Sequence, residues 1–336
     1  RHQDKETIAC LDEFVGREST IVQSAALQRL FQIDFRLVEK HADKLVTSED
    51  VNVRRWGARS MIAKQDVGRI ELLSGLLDDV NPGLRREVAG SFVELAEIPT
   101  LRQSILENSN KILDQDSWRG CEQACVVLAK LDHKASGKRM VELLGHPRPE
   151  VKIASAWGLT QLRIAELLPD MLEHAQSVYE GFRSGQLTDR VPGASLQMAH
   201  LFIAMGDQKY RPAVGLMKAY VPRDFSLGAE SRAAAAWGLG LIYEDDPDEE
   251  VVAMLSKRIS DIEGFQPELP DVRTMSAVSL GRMNAESTLE FLRKYESGLR
   301  AASWAIERMT GKPMPPLGRN THLISGWILQ PLRADK

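Results

Sequence analysis

Residues 53–64 read VRRWGARSMIAK, and this stretch carries the pattern that decides the fold. Across its copies the pattern has apolar residues at positions 1, 9 and 12, an arginine-like residue at position 2, and small residues at positions 5, 6, 8 and 10. Positions 1, 5, 8, 9 and 12 fall on one face of an α-helix, and small side chains there let a second helix approach closely. The stretch therefore predicts a helix with one buried face.

The pattern recurs along the chain. Further copies begin at Val22, Leu84, Gly120, Val151, Ala194, Ser231 and Val272, and a shortened copy lies around Arg300. Upstream of most copies lies another amphipathic segment, and turn residues such as those at 79–82 separate the two. A helix–turn–helix unit that recurs every ~30 to 40 residues is typical of an α-solenoid.

We therefore predict an all-α fold, a right-handed α-solenoid of about nine helical-hairpin repeats over residues 1–312. The second helices of the repeats are predicted near residues 22–33, 53–64, 84–95, 120–131, 151–162, 194–205, 231–242, 272–283 and 299–309. Residues 313–336 leave the repeat pattern and include an apolar stretch at 323–332. This tail is expected to cap the last repeat, and folding back into the groove or insertion into another copy of the chain are the alternatives.

The residues at 50–54, Asp-Val-Asn-Val-Arg, and at 149–152, Pro-Glu-Val-Lys, each precede a small-residue helix. They resemble the HEAT-like repeats of phycobilisome lyases, and the resemblance covers nearly the whole chain. It implies a HEAT-like fold. Such repeats serve scaffolds, lyase subunits, a metal hydroxylase and a DNA glycosylase, so the resemblance alone does not imply one function.

Composition argues against several classes of function. The formal net charge is −4, and no run of about 18 apolar residues occurs, so the sequence predicts neither general affinity for nucleic acid nor a membrane span. The seven histidines form no metal-ligand spacing, and no nucleophile elbow or phosphate-binding loop is found. We expect no metal, no cofactor and no catalytic residue, so the chain is expected to be a binding protein rather than an enzyme. Three cysteines are no disulfide framework and favour a soluble protein of a reducing compartment such as the cytoplasm.

Position 7 of the pattern points away from the predicted buried face. From the fifth copy onward it reads Trp157, His200, Trp237, Val278 and Trp304, whereas the four earlier copies carry Gln28, Arg59, Gly90 and Val126. Together with Met275 at position 4, these residues predict an apolar stripe on the concave face of the repeats. Exposed tryptophans are enriched at binding hot spots, so the stripe is a candidate site for a protein or peptide partner. The alternatives are that the rings lean into the core, or that copies of this chain associate through the stripe.

Two other functions remain as alternatives. A lyase-like or chaperone-like subunit that acts on a partner protein is implied by the resemblance alone. Nucleic-acid binding would use a basic patch of Arg54, Arg55, Arg59, Arg85 and Arg86, but glutamates interrupt that patch. The favoured hypothesis is a non-catalytic scaffold, and the sequence does not identify the partner, the pathway or the oligomeric state.

Overall fold

The computed structural model describes residues 5–16, 19–186 and 193–314. Across these ranges the regular secondary structure is helical, and no β-strand occurs there. The chain divides into two compact units, unit 1 at residues 1–139 and unit 2 at residues 140–336. Most of the predicted C-terminal tail, residues 315–336, lies outside the described residues.

The helices of unit 1 follow one another with short connections. They are α1 (Lys5–Val15), α2 (Thr20–Ile33), α3 (Phe35–Glu39), α4 (Ala42–Leu45), α5 (Val51–Lys64), α6 (Val67–Gly75), α7 (Pro82–Leu95), α8 (Pro99–Leu113) and α9 (Trp118–Lys130). Helix α10 (Gly137–Leu143) contains the division between the units.

Unit 2 continues the same alternation of helices. Its helices are α11 (Pro149–Leu162), α12 (Leu168–Arg183), α13 (Ala194–Asp207), α14 (Val214–Tyr220), α15 (Ala229–Ile242), α16 (Glu249–Ser260), α17 (Pro270–Arg282), α18 (Leu289–Arg293) and α19 (Arg300–Thr310). Short 3₁₀ turns accompany them at Leu76–Asp78, Lys134–Ser136, Ala165–Leu167, Arg211–Ala213, Phe225–Leu227 and Glu286–Thr288. None of the helices in the described ranges has the length and apolar character needed to cross a membrane.

Turn residues set where several of these helices begin. Asp50 precedes α5, and its carboxylate accepts hydrogen bonds from the backbone N–H groups of Asn52 at 2.8 Å and Val53 at 3.2 Å. Asn81 caps α7 in the same way, through the N–H of Leu84 at 3.0 Å. Such caps satisfy amides that have no partner inside the helix and stabilise it by about 1 kcal/mol each.

Each copy of the pattern lies in one helix of the described chain. The copies occupy α2, α5, α7, α9, α11, α13, α15, α17 and α19. Position 9 of the pattern is at most 8% exposed in every copy, at Leu30, Met61, Phe92, Leu128, Leu159, Phe202, Leu239, Leu280 and Ile306. The predicted all-helical repeat architecture, with one buried face on each second helix, is therefore confirmed.

The arginine-like residue at position 2 donates to backbone carbonyls in the turn that precedes its own helix. In unit 1, Arg54 Nη1 donates to the carbonyls of Ser48 at 2.7 Å and Glu49 at 2.9 Å. Arg85 Nη1 donates to those of Asp79 at 2.8 Å and Val80 at 3.3 Å. Carbonyls after the end of a helix have no partner within it, so a long donor at this position satisfies them.

Arg54 also links two successive repeats. Its Nε and Nη2 donate to the carboxylate of Asp79, in the turn of the next repeat, at 2.6 and 2.8 Å. In unit 2, Arg232 occupies the same pattern position. It donates to the carbonyls of Val221 and Pro222, and to Glu268 of the next repeat. Position 2 therefore fixes the turn of one repeat and the placement of the next.

The second helices of unit 2 pack in succession, α11 on α13, α13 on α15, α15 on α17 and α17 on α19. Glycines allow a close approach, because a Cβ atom added at Gly206 would lie 2.7 Å from the Cα of Gly238. A Cβ added at Gly281 would lie 2.7 Å from the Cα of Ala305. The backbones of neighbouring second helices are therefore in direct contact in unit 2.

Candidate functional site

Position 7 of the second helices forms a row in unit 2, because these helices pack side by side. The row, hereafter the ring row, consists of Trp157, His200, Trp237, Val278 and Trp304. The side chains of Trp157, His200 and Trp304 are half-buried, so each presents part of its surface to solvent. Trp237 is 8% exposed and Val278 is fully buried.

The expectation that Met275 and Val278 face the concave surface is wrong. Both side chains are 0% exposed and lie in the core of unit 2. The reason is the close approach of α17 to its neighbours, where Gly281 contacts Ala305 and the Ser279 hydroxyl donates to the carbonyl of Ala236 at 2.7 Å. Helices this close cover side chains that a wider spacing would leave in solvent.

Trp237 lies deepest among the tryptophans of the ring row. Its indole Nε1 is buried and has no hydrogen-bond partner among the described residues. The guanidinium of Arg282 lies 5.2 Å from the centre of its ring, and that of Arg308 lies 5.9 Å from the ring of Trp304. A buried donor without an acceptor costs about 1 to 3 kcal/mol, so this N–H lowers the stability of unit 2.

His200 is neutral in this setting. Removal of the ring from water lowers its pKa to about 4, because desolvation disfavours the charged form. The ring row therefore carries no histidine charge at neutral pH, and the positive charges beside it are those of Arg282 and Arg308.

The predicted basic patch is not brought together as one exposed surface. Arg54 and Arg85 are 7% and 6% exposed and are used by the turns and neighbouring repeats described above. Arg55 and Arg59 remain accessible, but the Nε of each donates to Glu87, at 3.0 and 2.6 Å. Arg86 is exposed, and its Nε donates to the carbonyl of Pro82 at 3.2 Å. An extended path for a phosphate backbone needs several free cations in line, and these arginines do not supply it.

A charged cluster that the sequence did not reveal anchors a loop of unit 2. Glu268 lies in the loop before α17, is fully removed from solvent at its side chain, and accepts from Arg232 at 2.6 Å and Arg258 at 2.9 Å. Beside it is a groove of about 590 Å³ whose lining includes Phe225 and Ile262. Glu268 lies in a long polar loop, so the sequence around it predicts a carboxylate that is exposed to solvent.

Cys121 and Cys125, the two cysteines that lie in a copy of the pattern, are not activated thiols. Cys121 and Cys125 are buried in α9, and desolvation raises the pKa of both thiols. Within the described residues, no group of three or more histidine, cysteine, aspartate or glutamate side chains is arranged to hold a metal ion.

No protein-family model matches the sequence, and no curated protein matches it. Solved structures with similar folds include an engineered protein, at 16% identity and a TM-score of 0.49, covering 91% of this chain and 89% of that one. They also include the YibA protein of Escherichia coli, at 12% identity and a TM-score of 0.48, covering 93% and 99%. The complex of CpcE and CpcF of phycocyanin lyase from Nostoc has 14% identity and a TM-score of 0.44, covering 72% and 94%.

Among the described residues, helical hairpins follow one another, and their second helices share one pattern and one set of buried positions. The chain folds as a HEAT-like repeat protein. This assignment concerns the fold, and a function has to be inferred from the chain's own surfaces.

Proposed function

We propose that the chain is a non-catalytic protein-binding scaffold, and that the ring row of unit 2 holds a peptide segment of its partner. The observation that carries the proposal is the pair of half-buried rings of Trp157 and Trp304, which lie in one row with the buried ring of Trp237. A row of rings offers apolar surface, and the half-buried imidazole of His200 adds one polar group within it. These are the two components that binding pockets for peptides combine.

The partner segment that suits this row is apolar and carries no strong charge of its own. Its side chains would cover the partly exposed indoles, at about 25 cal/mol per Å² of apolar surface buried. The neutral imidazole of His200 adds a polar group to the row without adding charge.

The experiment that tests the proposal begins with peptides selected from a displayed library against the whole protein. Affinity of the selected peptides is then measured for the wild type and for Trp157→Ala, Trp304→Ala and Trp118→Ala. Trp118 is a half-buried tryptophan of unit 1, so its replacement is a matched control outside the ring row. Hot-spot truncation at Trp157 or Trp304 should weaken binding by about 1 to 4 kcal/mol, and Trp118→Ala should leave it unchanged.

Equal affinity for all three variants and the wild type would contradict the proposal. The rings would then serve packing alone. Thermal unfolding of each variant, measured in parallel, separates loss of contact from loss of fold.

A further inference from the structure

A cleft in unit 1 lies on the side of the second helices that carries positions 3, 4 and 7. It has a volume of about 470 Å³ and is formed by the first three repeats. Its lining residues are Ser24, Gln28, Asn52, Arg55, Trp56, Arg59 and Glu87. It therefore combines two guanidinium groups, one carboxylate, one aromatic ring and three neutral polar side chains.

The two arginines share one carboxylate and meet it with the same atom. Nε of Arg55 donates to one oxygen of Glu87 at 3.0 Å, and Nε of Arg59 donates to the other at 2.6 Å. Arg55 Nη1 donates to Asn52 Oδ1 at 3.0 Å, whereas the Nη atoms of Arg59 make no hydrogen bond with the described residues. One carboxylate thus orients two guanidiniums and leaves the paired N–H groups of Arg59 available.

An aromatic support holds Arg59 in place. Its guanidinium lies 5.2 Å from the centre of the Trp56 ring, and that ring lies 5.5 Å from the ring of Phe31. Phe31 and Trp56 both pack against the apolar core around Leu30 and Val53. The guanidinium is therefore positioned before any ligand arrives, and a preorganised donor loses less entropy on binding.

The cleft carries one positive charge in excess, since two arginines face one glutamate. The Arg59 side chain is 42% exposed, that of Glu87 is 28% exposed and that of Arg55 is 25% exposed, so a ligand can reach all three. A guanidinium presents parallel N–H donors whose spacing matches the two oxygens of a carboxylate.

We propose that this cleft binds an aspartate or glutamate side chain of an acidic partner peptide. The carboxylate of the peptide pairs with the Nη groups of Arg59, beside the carboxylate of Glu87. Gln28 and Ser24 face the same space and supply neutral hydrogen-bonding groups for the peptide backbone. The cleft is separate from the ring row, so this inference does not depend on the proposed function of unit 2.

A nucleic acid fits the cleft less well than an acidic peptide does. Glu87 neutralises one of the two arginines, so the lining residues supply one excess positive charge and not a row of them. Arg54 and Arg85, which would extend a basic path, are buried in contacts of the fold. A single excess charge suits one carboxylate, whereas binding to nucleic acid draws on many phosphate contacts.

The test uses the full chain and a peptide of alternating glycine and glutamate, acetylated and amidated so that its side chains are its only charges. The same peptide with glutamine in place of glutamate is the matched ligand control. Binding is followed by NMR through the side-chain N–H signals of Arg59 and Trp56. The glutamate peptide should shift both signals in a saturable manner, and the glutamine peptide should not.

Three variants sharpen this test. Arg59→Gln should weaken binding of the glutamate peptide by about tenfold, the value of one charge-assisted contact. Arg86→Gln removes the same charge from an exposed residue outside the cleft and should have little effect. Glu87→Gln removes the internal competitor and should strengthen binding by about fivefold.

Glu87→Gln is expected to change the affinity for the glutamate peptide in the opposite direction from Arg59→Gln. The proposal can therefore be tested even if Arg59→Gln perturbs folding. Weaker binding by Glu87→Gln would overturn it, as would equal weakening by Arg59→Gln and Arg86→Gln. Equal binding of the glutamate and glutamine peptides would overturn it as well. A single-stranded oligonucleotide that shifts the same signals more strongly than the peptide would show a nucleic-acid site instead.

Discussion

The two units apply one repeat pattern and end with different surfaces on their second helices. In unit 1, positions 3, 4 and 7 carry side chains such as Arg55, Arg59 and Glu87, which remain accessible and line a polar cleft. In unit 2, the equivalent side chains are mostly apolar, and Met275 and Val278 are fully buried. The pattern thus determines the repeat, whereas the positions between its fixed residues determine the surface.

Two glycines show two different environments of a small residue on a second helix. Gly90 stands at position 7 in α7 of unit 1, and a Cβ atom added there would meet nothing within 4 Å. Gly206, near the end of α13 in unit 2, touches the backbone at Gly238. The small residue at Gly206 serves close packing, whereas Gly90 leaves space in front of its helix; tight sites also occur in unit 1, where a Cβ added at Gly120 would lie 2.8 Å from Ile112.

The largest expected effect comes from breaking the buried charge cluster of unit 2. Replacing Glu268 with alanine leaves Arg232 without a carboxylate in a site that excludes water, and leaves Arg258 with Asp261 alone. Breaking such a pair costs about 3 to 5 kcal/mol of unfolding free energy. Because repeats couple mainly to their neighbours, hydrogen exchange should accelerate in α15 to α17 and stay unchanged in α2 to α5.

The control for this change is Glu290→Ala, which removes the exposed partner of Arg293 and should cost little. Uniform acceleration of exchange across both units would mean that the two unfold as one body. The two units would then differ in their surfaces but not in how they unfold.

A second comparison inserts the same methyl group into each unit. Gly206→Ala should destabilise the protein by about 1 to 3 kcal/mol, because the added Cβ is forced against Gly238. Gly90→Ala should instead stabilise it by about 0.5 to 1 kcal/mol, since the site is open and alanine is the better helix former. Urea unfolding followed by circular dichroism measures both free energies of unfolding. Equal effects at the two sites would contradict the difference in packing around the two glycines.

The smallest expected effect is a change of the unfolding free energy with pH. The pKa of His200 is held near 4, below its ordinary value of 6.5, so the unfolded chain binds the proton more readily than the folded one. The unfolding free energy should therefore fall as pH drops from 7 to about 5.5, by about 1 kcal/mol from this residue. In His200→Gln the fall should be smaller by that amount, and an unchanged slope would show that His200 does not contribute.

The repeat architecture could be predicted from the sequence because its signal is local. The spacing of apolar and small residues at 53–64 requires a helix with one buried face, and α5 runs from Val51 to Lys64. The structural role of the arginine at position 2 also has a local signal, since Arg54 and Arg85 recur 31 residues apart beside the same kind of turn.

The surfaces could not be predicted as far, because they depend on pairs of residues distant in sequence. Whether Val278 is exposed depends on how closely α17 approaches α15 and α19, and a single helical pattern does not report that distance. Glu87 lies about 30 residues from the two arginines that it orients. The sequence alone does not show this pairing, so it predicts arginines without a carboxylate partner. Exposure of Trp157 and Trp304 follows from the pattern, whereas their role in binding stays a prediction.

The hydrogen bonds made by the arginine at position 2 also affect how a chain of this architecture can gain or lose repeats. Arg54 reaches back to its own turn and forward to Asp79 in the next, so this repeat carries its own half of the junction. A tandem duplication of one 31-residue unit would bring with it both the donor and the acceptors that the new junction needs. Loss or gain of whole repeats would then preserve every remaining junction, whereas an insertion of a few residues between donor and acceptor would break one. Genetic duplication and recombination can thus lengthen this architecture in steps of a repeat without redesign of its core.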